Sequence, residues 1–354
     1  MLPNASFTGV SPDGTLYVTN AHQNGVGPRA GGPGAVGDPD AKVFETDTAK
    51  EVLNTGVPVG AMTPMFTPDG AMLAFTDYAI SQGHGMAVMN FDRMARKASA
   101  YRKVYTQSDM MYPAWPFFLP DDKALVFAIG SAADFSGMGI GINMMTTTAN
   151  APKSDLFVVD LATGTATMLA KAMGFASELD IAADKTYLPF GAAEELHHHY
   201  YPTVAPVPAG GYFWAFFDSW RHYGNQGLQR QLWGTAIDVS PDGSYAKDPS
   251  HPAFYLTGQE PNTGNHRAFA ALDPCMMNGE TCTSGTDCCG GFCYVKDDTS
   301  EFGSEPIGKC TSDVPMCSKV NERCTTSADC CPPPPNQPPY ICIASVCAVV
   351  PPVQ

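Results

Sequence analysis

The sequence predicts an all-β chain: a long body of repeated four-stranded units, then two small disulfide-rich modules. Three observations carry that reading. A Pro-Asp-Gly turn recurs between apolar runs, and a further apolar run ending in Asp follows each turn. All 12 cysteines lie in residues 275–347, arranged as two similar frames.

The turns come first along the chain. Ser11-Pro12-Asp13-Gly14 precedes Thr15-Leu16-Tyr17-Val18-Thr19, Thr67-Pro68-Asp69-Gly70 precedes Ala71-Met72-Leu73-Ala74-Phe75, and Leu119-Pro120-Asp121-Asp122 precedes Lys123-Ala124-Leu125-Val126-Phe127. Proline presets φ at the first corner, the Asp carboxylate caps the turn, and glycine accepts the positive φ at its end. A degenerate fourth copy, Pro206-Val207-Pro208-Ala209-Gly210-Gly211, precedes the apolar run Tyr212 to Phe217. Ser240-Pro241-Asp242-Gly243 has the same letters but follows an Asp-ended run, so it reads as a hairpin turn only.

The Asp-ended runs are Val43 to Asp47, Val88 to Asp92, Leu156 to Asp160 and Leu232 to Asp238. After the third, Asp160-Leu161-Ala162-Thr163-Gly164-Thr165 reads as a turn into one more strand. Four strands recurring at a period of roughly 45 to 80 residues is the pattern of a β-propeller blade. Residues 252–273 are expected to complete the last blade or to donate a closing strand.

These turns resemble the Pro-Asp-Gly repeat of TolB-like β-propellers, a relative of WD repeats in architecture. The resemblance implies a propeller over residues 1–273 with four recognisable blades out of a larger ring, hence an incomplete amino-terminal side. The opening Met1-Leu2-Pro3-Asn4 lacks the charged and apolar regions of a secretory signal. A longer exported protein, of which this chain is the carboxyl part, is the expectation that follows. Propeller, Asn265-His266-Arg267 segment and cysteine modules in that order also resemble exported propeller proteins of myxobacteria.

The first cysteine frame is Cys275, Cys282, Cys288, Cys289, Cys293 and Cys310; the second is Cys317, Cys324, Cys330, Cys331, Cys342 and Cys347. Each spans fewer than about 40 residues, too few to bury a self-sufficient core. Closing a loop of about 15 residues removes roughly 3 kcal/mol of unfolded-state entropy. Zinc ligands usually come as C-x2-C pairs, which are absent here, and adjacent cysteines chelate one tetrahedral ion poorly. Disulfides are therefore expected, and with them an oxidising compartment. Spacing alone leaves the pairing open. The frames resemble inhibitor cystine knots (knottins). That resemblance implies Cys275–Cys289, Cys282–Cys293 and Cys288–Cys310 in a module at 274–311. In a second module at 312–354, with its Pro-rich loop and tail, it implies Cys317–Cys331, Cys324–Cys342 and Cys330–Cys347.

Composition narrows the function. The net charge of −15 disfavours nucleic acid, whose phosphates call for a basic surface. No run of 18 apolar residues is present to span a membrane as a helix. Hydrolase, zinc-protease and phosphate-loop motifs are missing.

Two constellations remain as candidate sites. His197 and His199, placed on one face if their segment is a strand, could hold a divalent metal, calcium or a transition metal, with His222, His251 and His266 joining in space. Oligogalacturonate lyases among the TolB-like propellers use such a metal. The other is Trp220-Arg221-His222-Tyr223, expected to emerge into a loop after the strand Tyr212 to Phe217, where aromatic faces beside Arg suit a ligand. The insertions at 24–39 and 133–152 are candidate binding loops. The acidic stretches Asp38 to Asp40 and Asp297-Asp298 lack a calcium-loop spacing, and the Met pairs read as packing.

The resulting expectation is an exported, non-enzymatic binding or scaffold protein presenting loops to a protein or a cell-surface glycan. Its rivals are a metal-dependent polysaccharide lyase or hydrolase in the propeller channel, and a protease or channel inhibitor acting through the cystine modules.

Overall fold

The computed structural model describes residues 9–19, 41–107, 111–131, 153–175, 197–221, 230–260, 264–265 and 267–270, and in the tail 279–283, 292–294, 308–311, 318–322, 324, 327, 330–331, 333, 338–343 and 346–349. Two compact units result: Met1–Val204 with Trp214–Phe269, and Ala205–Phe213 with Ala270–Gln354.

The larger unit is built from four-stranded antiparallel meanders of propeller-blade type. The first orders β1 (Gly9–Val10), β2 (Leu16–Val18), β3 (Val43–Glu45) and β4 (Glu51–Val52). The second orders β5 (Ala61–Phe66), β6 (Met72–Asp77), β7 (Gly85–Asp92) and β8 (Lys97–Thr106). In the third come β9 (Met111–Phe118), β10 (Ala124–Ser131), β11 (Ser154–Asp160) and β12 (Ala166–Met168), and in the fourth β13 (His199–Val204), β14 (Tyr212–Ser219), β15 (Gln231–Asp238) and β16 (Phe254–Tyr255). Phe254–Tyr255 thus supplies the last strand of the fourth sheet.

Burial explains the sequence pattern. Strands β5 and β9 are buried nearly throughout and β13 completely, whereas β8 is mostly exposed. First strands of successive sheets also lie against one another, β1 on β5, β5 on β9 and β9 on β13. The first strand of each blade is therefore the inner one. With both faces of a sheet covered by neighbouring sheets, the alternation of a half-buried strand gives way to continuous apolar runs. Leu16, Val18 and Val43 of the first sheet pack with Phe66, Phe75, Met89 and Phe91 of the second. Ala74, Met86 and Val88 pack in turn with Leu125, Phe127 and Val159 of the third.

Each Pro-Asp-Gly turn joins the first and second strands of a blade. In the first copy Asp13 Oδ1 accepts from Ser11 Oγ (2.6 Å) and Thr15 N (3.1 Å), with Gly14 at φ 69°. In the second, Asp69 Oδ1 accepts from Thr67 Oγ1 (2.6 Å) and Ala71 N (2.8 Å), with Gly70 at φ 74°. The third copy puts Asp122 at φ 58°, the place of the missing glycine. There, burial together with the carboxylates of Asp69 and Asp121 pushes the Asp122 carboxyl up to about 7. The Asp that ends a third strand caps the turn to the fourth: Asp160 Oδ1 accepts from Ala162 N (2.9 Å) and Thr163 N (2.8 Å).

The turn at Ser240–Gly243 repeats this chemistry, Asp242 Oδ1 accepting from Ser240 Oγ and Ser244 N, and opens the loop between β15 and β16. That loop latches the fourth blade to the third. Tyr245, 1% exposed, donates its hydroxyl to Asp121 Oδ2 (2.6 Å) and its N–H to Asp160 Oδ2 (3.1 Å). Asp248 and Ser250 accept from Lys171 N and Ala172 N at the start of the short helix α1 (Ala170–Met173).

The smaller unit contains a three-stranded sheet ordered β17 (Thr281–Cys282), β19 (Gly308–Thr311), β18 (Phe292–Tyr294), and a hairpin of β20 (Tyr340–Ile343) and β21 (Val346–Val349). Disulfides join Cys282 to Cys293, Cys324 to Cys342 and Cys330 to Cys347. Cys310 and Cys331 are also disulfide-bonded. Cys275, Cys288, Cys289 and Cys317 lie outside the described residues. Buried cysteines take the place of an apolar core, Cys282, Cys293 and Cys310 in one cluster and Cys324, Cys330 and Cys347 in another.

Candidate functional site

Three inner strands share a bulge that sequence analysis missed. Thr63-Pro64 in β5, Trp115-Pro116 in β9 and Tyr201-Pro202 in β13 each place the residue before proline at positive φ: 47°, 60° and 51°. Proline has no N–H to give to the ladder, and pairing slips at each of these points. A positive φ costs a non-glycine residue about 1–2 kcal/mol, so the surroundings must hold it. They do so from blade to blade. Thr63 Oγ1 lies 3.2 Å from Thr76 Oγ1 and accepts from Trp115 N (3.3 Å), and the Trp115 ring meets Tyr201 edge-on at 5.1 Å. A signal was present in the sequence: the bulge proline precedes the turn proline at one fixed spacing, Pro64 and Pro68, Pro116 and Pro120, Pro202 and Pro206.

Guanidinium groups cover this belt. The guanidinium carbon of Arg267 lies 4.4 Å from the Trp115 ring centre, 4.7 Å from Phe269 and 5.6 Å from Phe117. That of Arg230 lies 5.8 Å from Tyr201. Asp218, fully buried on β14, ties the two together: its Oδ1 accepts from the Arg267 backbone N–H (2.9 Å), and its Oδ2 stands 3.7 Å from Arg230 Nη1. Burial pulls the Arg267 pKa down to about 10, against the nearby Asp218 charge. Neither Arg230 Nη1 nor Arg267 Nε has a hydrogen-bond partner among the described residues. Each guanidinium thus lies within cation–π reach of an aromatic ring.

The expected ligand-binding residues are only partly in view. Trp220 and Arg221 follow β14 directly but stay buried, at 2% and 4% exposure, instead of emerging into a loop. The reason is packing. Trp220 N–H extends the pairing to His198 O (3.3 Å), and Arg221 donates to Ala172 O (2.7 Å) while its guanidinium stacks 4.7 Å from Trp233. His222 and Tyr223 lie outside the described residues.

The histidines are placed differently from the one-face expectation, because β13 starts only at His199. His197 precedes it and sets Nδ1 3.0 Å from Asp155 Oδ1. His199 is fully buried, edge-on to Phe217 at 5.7 Å. His251 sets Nε2 2.7 Å from Asp238 Oδ1 on an exposed edge. His266 lies outside the described residues, as do the segments 24–39 and 133–152 and the acidic residues Asp38, Asp40, Asp297 and Asp298. Among the described residues, the one group of three or more His, Cys, Asp and Glu ligand atoms within 4.8 Å of each other is Cys324, Cys330 and Cys347. All three sulfurs are in disulfides, so no thiolate is offered to a metal.

No protein-family model matches the chain, and no curated protein matches it. Solved structures similar to it include a protein assigned as TolB from Agrobacterium tumefaciens, at 16% identity over 71% of this chain and 61% of that one, with a TM-score of 0.36. Oligogalacturonate lyase from Vibrio parahaemolyticus is similar at 12% identity over 68% and 51%, with a TM-score of 0.36. TolB from Acinetobacter baumannii is similar at 14% identity over 60% and 40%, with a TM-score of 0.28. This chain therefore spans less than two thirds of each. Likeness at that level carries no argument here, and the fold rests on the four sheets themselves.

Proposed function

We propose that this chain is an extracytoplasmic binding protein, in which a blade-built body holds the recognition surface and the disulfide-linked tail adds loops that resist proteolysis. The partner class is a protein or a glycan. One observation carries the reading: side chains at the inner strands form a stacked arginine–aromatic belt, the chemistry of holding a ligand rather than breaking one. Trp220, Arg221, His222 and Tyr223 are proposed to border this surface where the chain leaves β14. The tail is proposed as two knottin-like modules at 274–311 and 312–354, and their disulfides suit an oxidising compartment.

A metal-dependent lyase is the competing outcome, with His197 and His199 as its ligands. His197 already faces Asp155 and His199 is buried against Phe217, which favours structural roles for both. The test is to incubate the chain with acidic and neutral polysaccharides, with and without calcium or manganese. Saturable binding is followed by calorimetry, and bond cleavage by the absorbance of the alkene that β-elimination leaves. Binding without cleavage supports the proposal; metal-dependent growth of that absorbance overturns it.

A further inference from the structure

We propose that Arg230 and Arg267, lying over the edge-on pair of rings Tyr201 and Trp115, form a site for the carboxylate of a ligand with a flat or apolar body. This inference rests on the binding reading and names the ligand chemistry.

The argument begins with unmet donors. A guanidinium carries five N–H groups and cannot lose its charge inside a protein. Arg267 Nε has no hydrogen-bond partner among the described residues: the guanidinium lies over the rings of Trp115, Phe117 and Phe269, and the link to Asp218 runs through the backbone. Arg230 is 4% exposed, and its Nη1 stands 3.7 Å from Asp218 Oδ2, an ion-pair distance beyond hydrogen-bond reach. A buried cationic donor without a hydrogen-bond acceptor is costly, and the structure keeps two such donors on residues that both contact Asp218. A guanidinium lying over an aromatic face still has N–H groups with which to meet a ligand.

Charge selects the ligand. The two guanidiniums and Asp218 sum to one positive charge among these three groups. A monoanion neutralises it, whereas a phosphate dianion would overshoot beside the buried carboxylate of Asp218. Carboxylate also matches the two-pronged donor geometry of Arg. The exposed ring of Phe269 at the Arg267 guanidinium, 62% accessible, offers the ligand's apolar body a place to lie. The Thr63, Trp115 and Tyr201 bulges have a purpose in this picture: they hold the rings where the forks need a floor.

The test uses the full oxidised chain and benzoate as the probe, with benzamide as its neutral isostere. Benzoate is expected to quench tryptophan fluorescence saturably and benzamide is not. Arg267→Gln, compared at matched melting temperature and circular dichroism, is expected to weaken benzoate by at least about tenfold, one good charge-assisted contact. A second measurement needs no variant. Benzoate is expected to protect Arg267 from phenylglyoxal, read by mass spectrometry of the peptide, and benzamide is not. Equal binding of benzamide, or benzoate affinity unchanged in Arg267→Gln, overturns the inference. Failure here with polysaccharide or protein binding intact leaves the wider reading standing. Metal-dependent cleavage with benzoate still protecting Arg267 removes that reading and keeps the carboxylate site.

Discussion

Replacing Asp122 by Asn should stabilise the protein in a pH-dependent way. Asp122 stands at φ 58° in the third Pro-Asp-Gly turn, close to Asp69 and Asp121, and its carboxyl is pushed from 3.8 up to about 7 by burial and by those two charges. Between about pH 4 and 7 the folded state holds a proton that the unfolded chain has released. The folded state then binds more protons, so stability falls as pH rises through that window. A shift of three units is worth about 4 kcal/mol in full. The side chain is partly exposed and solvent screens it, so about half, ~2 kcal/mol, is expected. Asn keeps the left-handed backbone, which it tolerates nearly as well as Asp, and removes only the charge. Urea unfolding followed by tryptophan fluorescence should show no difference between parent and variant near about pH 4, and a gain of ~2 kcal/mol for the variant near about pH 8. A difference that is the same at both pH values would refute the electrostatic account. Asp122→Gly should gain slightly more, since it also relieves the positive φ.

Other perturbations separate the belt from the tail. Trp115→Ala, which removes a 2%-exposed ring from between Tyr201 and Arg267, should cost about 3–5 kcal/mol in urea unfolding. Trp115→Gly should lose slightly less than Trp115→Ala there, because glycine is at ease at φ 60°. Thr63→Val removes the acceptor for Trp115 N and should cost about 1–2 kcal/mol by the same assay. Gly9→Ala drives a Cβ into the carbonyl oxygen of Pro64 and should cost about 1–3 kcal/mol, read as a lowered melting temperature. Joint replacement of Cys330 and Cys347 by Ser should cost the tail about 2–5 kcal/mol, seen as faster proteolysis of residues 318–349.

Much of the fold was legible because its turns are local chemistry. The contacts of Asp13 and Asp69 span only a few residues, so Pro-Asp-Gly before an apolar run already contains them. The same holds for Asp160, whose carboxylate closes the turn that follows it. The belt was not legible because it is assembled across blades. Arg267 sits over Trp115, and Arg230 over Tyr201, by virtue of how sheets stack, and a window of sequence holds neither pair. Proline inside an apolar run also argues against a strand, although in β5, β9 and β13 it marks a bulge. The histidine reading turned on a boundary: His197 and His199 share a strand face only if both lie in the strand, and β13 begins at His199. Trp220 and Arg221 read as loop residues because nothing local showed that Ala172 and Trp233 would receive Arg221.

All four tryptophans lie between Trp115 and Trp233, while every cysteine lies beyond residue 274. Nature has wired the molecule with two independent instruments. Indole emission comes from the blades, and every bond that a thiol reductant can cleave lies in the tail. Titrating dithiothreitol under fluorescence therefore isolates what each half contributes, with no need to cut the chain.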